Sequence, residues 1–173
     1  MITEKSILKT EVRFSENKEY RYLLRKEWDS KKKKAMVVMI NPSIANDISM
    51  DFTTLYTLNN LQNLDFGGVD VVNLYPKITN KLKMLDISEK EIKLNNNLII
   101  ELAEKVDTII LAWGKKGENS KKISTQQHSL INLLNKYHEK IFVLGDGSGG
   151  SWYHPLAPQV RFNWTLIRLD NLQ

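Results

Sequence analysis

Met36-Val37-Val38-Met39-Ile40-Asn41-Pro42-Ser43 is the stretch on which the reading of the fold turns. Five apolar residues in a row suit a strand covered on both faces, as in a parallel sheet. Pro42 has no N–H for a ladder and disfavours helix at Asn41. The strand is therefore expected to stop there, with Asn41 held at its carboxyl end. Ligands of open α/β sheets gather outside the carboxyl ends of strands. The rest of the chain is read as building a pocket around that tip.

Three more apolar runs end in the same way. Val69 to Leu74, with Asn73, gives way to Tyr75-Pro76, and Thr108 to Trp113 stops at Gly114-Lys115. Ile141 to Leu144 runs into a glycine-rich loop that ends Ser151-Trp152-Tyr153-His154-Pro155. Helical spacing fills the gaps. Leu55, Leu58 and Leu61 predict a helix over about 53–64, stopped by Gly67-Gly68. Ser88 with Glu91 reads as a capping box opening a helix to about Glu104. Leu130, Leu133, Leu134 and Tyr137 mark another over about 124–137.

Four strands joined by three helices predict a single α/β domain. The expected architecture is a three-layer sandwich with a central four-stranded parallel sheet over about 35–155. An N-terminal β-hairpin is expected over about 7–28, with Arg13, Arg21 and Arg25 along one edge. Alternation at Val160, Phe162, Trp164 and Leu166 predicts a closing strand over about 160–168, paired with the hairpin.

Composition narrows the function. The chain has 173 residues, 42% hydrophobic and 26% charged, which suits a globular domain with a sizeable core. The absence of cysteine excludes disulfides, thiolate metal sites and iron–sulfur clusters. Its three histidines, His128, His138 and His154, are too scattered to predict a zinc site. No metal or cofactor is expected. No apolar run approaches the roughly 20 residues of a membrane span, and the start lacks a signal-peptide core. A soluble, cytoplasmic protein is the expectation. A net charge of +5 permits a polyanionic partner. Lys31 to Lys34 reads as a solvated turn before the first buried strand, with a phosphate-contacting loop as the alternative. Neither a phosphate loop nor a spaced-glycine dinucleotide fingerprint is present.

The order of motifs resembles the uracil-DNA glycosylase superfamily. Asn41-Pro42-Ser43 stands where that superfamily has its Asn-Pro motif after the first core strand, and His154-Pro155-Leu156 stands for its last motif. Met39 replaces the glycine before Asn-Pro, and Leu156 replaces a serine. More closely, the chain resembles a bacterial and phage domain family of unknown function. That family shows Tyr-Arg-Tyr, Asn-Pro-Ser, Asn-Leu-Tyr-Pro, Trp-Gly and His-Pro-Leu.

The glycosylase resemblance implies hydrolysis of the N-glycosidic bond of a uracil-type or modified base in DNA. Asn41 would position the attacking water, and His154 would donate to a carbonyl oxygen of the departing base. Asn73 would read the base edge through its paired donor and acceptor. A flipped base would stack on Tyr75, Trp113, Trp152 or Tyr153. Lys115, Lys116 and the N–H groups of Gly147 to Gly150 would hold phosphates. Pro42, Ser43, Gly114 and Ser151 complete the expected substrate contacts. Asp47 and Asp51 are candidate ligands for water or metal. Two other classes compete. One is a nucleotide- or nucleobase-binding protein, or a nucleoside hydrolase, with the same pocket. The other is a non-catalytic interaction protein. The partner is thus DNA or a nucleotide, with oligomeric state left open.

Overall fold

A computed structural model describes residues 1–42, 50–79, 87–114 and 121–172. The strands are β1 (Lys9–Phe14), β2 (Arg21–Glu27), β3 (Lys33–Met39), β4 (Phe66–Asn73), β5 (Thr108–Leu111), β6 (Ile141–Gly145) and β7 (Thr165–Arg168). The helices are α1 (Phe52–Asn63), α2 (Glu89–Lys105) and α3 (Lys121–Leu133). No helix of the described residues is long and apolar enough to cross a membrane.

All seven strands form one sheet in the order β1-β2-β4-β3-β5-β6-β7. β3 pairs in parallel with β4 and with β5, and β5 with β6. β1–β2, β2–β4 and β6–β7 are antiparallel. This mixed seven-stranded sheet corrects the expected four-stranded parallel sheet in a three-layer sandwich. The reason lies at the edges. A strand left with unpaired N–H and C=O groups is a template for further pairing, and β2 and β7 take those places on β4 and β6. The expected partner of the C-terminal strand is corrected as well. β7 lies at the opposite edge of the sheet from β1 and begins at Thr165, while residues 160–164 form turns.

Side chains alternate across each strand, so the sheet has two apolar faces. Met36, Val38, Val72, Ile109 and Val143 pack against α2 and α3 through Ile99, Leu102 and Leu130. Val37, Met39, Val71, Ile110 and Leu144 pack on the other face against Leu61 of α1 and against Tyr153, Val160 and Trp164.

An irregularity on β2 decides where its arginines point. The register with β1 runs Arg13 to Leu23 and then Phe14 to Arg21, so Tyr22 is an extra residue. A bulge of this kind re-aims the neighbouring side chains. The Tyr22 hydroxyl donates to Glu91 of α2 on one side, while Arg21 is buried on the α1 side. The three hairpin arginines therefore do not share an edge. Arg25 makes a two-pronged ion pair with buried Asp70, 2.6 and 2.8 Å. Arg13 bonds exposed Glu11 at 2.8 Å.

Candidate functional site

β3 and β4 lie side by side with Met39 opposite Asn73. Their pairing continues past both strand ends, with Leu74 N–H donating to Met39 O and Tyr75 N–H to Ile40 O, each 2.9 Å. Asn41 and Asn73 thereby reach the same edge of the sheet. Asn41 Nδ2 donates to Thr79 O at 2.6 Å and to Pro42 O at 3.2 Å. Those two bonds fix the amide plane and leave Oδ1 as an acceptor.

Asn73 differs. It is 1% exposed, and neither its Oδ1 nor its Nδ2 has a hydrogen-bond partner among the described residues. Its backbone is held in place, because Asn95 Nδ2 of α2 donates to Asn73 O at 2.8 Å. A buried amide without partners costs roughly 1–3 kcal/mol of stability.

His154 arrives from the far side of the sheet. After β6 the loop turns back, bridging Gly145 to Ser151, and Tyr153 N–H donates to Leu144 O at 3.2 Å. Trp152 sits at φ +62°, a left-handed conformation that a bulky L residue adopts only under strain. That turn sends Trp152 to the α2/α3 face and Tyr153 to the α1 face. His154 Nδ1 then accepts the Leu156 N–H at 3.2 Å. In the neutral ring the proton must therefore sit on Nε2. Burial pushes the imidazole pKa below its ordinary 6.5, with the Asp51 carboxylate opposing.

Asp51 is the N-cap of α1, its Oδ1 accepting the Thr54 N–H at 2.7 Å. The same carboxylate acts electrostatically on Arg21, whose pKa is lowered by burial and raised by Asp51. Arg21, Asn41, Asp51, Asn73 and His154 line one cavity of about 260 Å³, walled by Met39 and Val71. Thr53, Thr54 and Thr79 complete it.

The structure thus brings four of the residues singled out in the sequence, Asn41, Asp51, Asn73 and His154, into one cavity. The others lie elsewhere. Pro42 is buried beside the site without lining it. Tyr75 is buried towards α3, its hydroxyl donating to Lys122 O at 3.2 Å. Trp113 and Trp152 stack on each other, 6.3 Å between centroids, on the α2/α3 face. Gly114, Ser151 and Tyr153 do not line the cavity either. No Phe, Tyr or Trp of the described residues does so, which corrects the expected stacking set.

In the glycine-rich loop, two of the N–H groups expected to hold phosphate, those of Ser148 and Gly150, are engaged within the chain. Asp146 Oδ1 accepts the N–H groups of Ser148 and Gly150 at 2.8 and 2.9 Å, and Oδ2 accepts the Tyr153 hydroxyl at 2.9 Å. Its carboxyl pKa is held down at about 2 by the Ser148 N–H first and then by Tyr153. Ser43, Asp47, Lys115 and Lys116 lie outside the described residues.

The sequence reading missed Arg21 and the placing of Asp51. Asp51 had a legible signal, an aspartate directly before a helical run. Arg21 had none, because a bulge decides its direction. The family described as Protein of unknown function (DUF1643) matches residues 21–156, a span that includes all the described residues lining the cavity. No curated protein matches the chain.

Proposed function

The chain belongs to the DUF1643 family, and we propose that its cavity receives one pyrimidine-type base and hydrolyses the bond joining that base to a sugar. The observation that carries this reading is Asn73, which lines a cavity of about 260 Å³ and whose amide donor and acceptor are both without partners among the described residues. An amide offers an acceptor beside a donor, which complements the N3–H and O4 edge of uracil and its modified forms. The volume lies just under the roughly 300–1,000 Å³ of small-molecule sites, which suits one ring and excludes a dinucleotide.

The remaining groups suit the chemistry. Water attacks C1′, the C1′–N bond breaks, and its electron pair leaves with the base as an anion. Asn41 Oδ1, fixed by the Thr79 contact, orients the water. Asp51 takes the proton that the water releases. His154 Nε2–H donates to the base oxygen on which negative charge develops, where a preorganised donor has most effect. The resemblance of the Asn41-Pro42 and His154-Pro155 motifs to those of uracil-DNA glycosylases is in keeping with the same assignment.

The test is incubation with oligonucleotides carrying a broad panel of bases, hypermodified ones included, followed by alkali. Strand breaks that vanish in Asn41→Ala support hydrolysis, and an unbroken panel refutes it. A second reading, hydrolysis or binding of free nucleosides or nucleotides, is favoured by the lack of a Phe, Tyr or Trp to stack on among the described lining residues. It predicts a raised melting temperature with mononucleotides and no breaks in any oligonucleotide.

A further inference from the structure

Beside the cavity mouth stands a row of aromatic rings that the cavity chemistry does not use. Phe52 follows Asp51 directly, and its ring stacks on Tyr56 at 6.2 Å and 22°. Tyr56 meets Phe162 edge-on at 5.5 Å and 84°. Phe52 and Phe162 are large apolar side chains, yet they are 69% and 73% exposed. The row is held in place from below. Buried Asn60 of α1 donates from Nδ2 to Arg161 O at 2.9 Å and to Tyr56 O at 2.8 Å, tying the 161–162 turn to the helix. The Arg161 guanidinium carbon sits 6.0 Å from the Phe162 ring centroid.

Charge narrows what can cover this face. The chain carries 20 acidic residues, yet α1 is uncharged along its whole length, and Arg161 is the lone charge from residue 155 to 166. Residues 52–63 and 155–166 present exposed rings, amides and one guanidinium without a carboxylate, so the face repels a polyanion only at its cavity end, where Asp51 stands. Exposed aromatic faces accept bases of any sequence by stacking, and arginine adds a cation–π contribution.

We propose that single-stranded nucleic acid docks on this face, its bases stacking on Phe52 and Phe162, and that the strand leads into the cavity between Asp51 and His154. The inference makes the substrate a polymer, and it rests on the base-release reading for what happens at the cavity.

The test is the affinity for a fluorescein-labelled oligodeoxythymidine of about 12 nucleotides, a length within the site sizes of such grooves, read by anisotropy at low salt. The Phe52→Ala, Phe162→Ala double variant is expected to bind at least tenfold more weakly with an unchanged melting temperature, since each stacked base contributes roughly five- to 150-fold. Phe52→Trp with Phe162→Trp is expected to restore binding. Undiminished affinity in the double alanine variant, or no binding by the wild type, overturns the proposal. So does a dimer in light scattering that the alanine variant dissolves, since the face is then an interface between two copies. Binding through the phenylalanines without base release defeats hydrolysis and keeps the platform. Base release from free nucleosides, unaffected by the double substitution, does the reverse.

Discussion

Asn73 carries a stability burden that its own chain does not relieve. Both ends of its amide are buried without partners among the described residues, and replacing such a group by an apolar one of similar shape removes the penalty. Asn73→Leu is therefore expected to stabilise the protein by about 1–3 kcal/mol, seen as a higher urea midpoint, while abolishing base release. An unchanged or lowered midpoint would show that the amide has partners in solution. His154 makes a second prediction. Its folded pKa lies below the ordinary 6.5, so the unfolded chain binds the extra proton first. Stability is then complete above about 6.5 and declines as pH falls towards the folded midpoint. The imidazole resonances of His154 should titrate below 6.5 and, at pH 7, show a proton on Nε2. Asp146 behaves in the opposite range. With a folded value of about 2, it contributes stability above the usual carboxylate range, lost as pH falls through about 2. Asp146→Ala should melt a few degrees lower at neutral pH and lose that acid-range slope. The proline after Asn41 and the tight loop before His154 were readable because they act on the adjacent residue. The empty valences of Asn73 were not, because they depend on what every neighbour fails to supply.

At the scale of elements, α1 and the β2 bulge between them charge the cavity. Asp51 is both the cap of α1 and the carboxylate acting on Arg21. Asp51→Asn retains a side chain that caps well, whereas Asp51→Ala does not, which costs about 1 kcal/mol. The alanine variant should thus be the less stable of the two in thermal melts, with both depleted in base release. Equal stability would show that the cap contributes nothing here. Apolar spacing announced α1 and the buried strands in the sequence, and a capping box announced α2, since those signals are local. The bulge at Tyr22 is different. Tyr20-Arg21-Tyr22 reads as plain alternation, and only the pairing with β1 reveals the extra residue.

Across the whole molecule, partner choice between strands is what the sequence withheld. A strand of alternating residues at either terminus can pair with any open edge of the right polarity. Here β2 joins β4 and β7 joins β6, so the hairpin and the last strand end on opposite sides of one mixed sheet. Burial of Asp70 against Arg25 pins the first of these joins. Placing β2 beside β4 is also what brings Arg21 to the mouth, because Arg21 N–H donates to Pro76 O at 2.8 Å just beyond the end of β4. The cavity is thus a product of the mixed sheet rather than of parallel strands alone. The most direct measurement is the ¹H–¹⁵N spectrum of the side-chain amides during titration with free uracil and cytosine. Shifts confined to Asn41 and Asn73, with the His154 Nε2–H moving in step, are predicted. Perturbations elsewhere with these three groups unmoved would contradict a base-binding cavity.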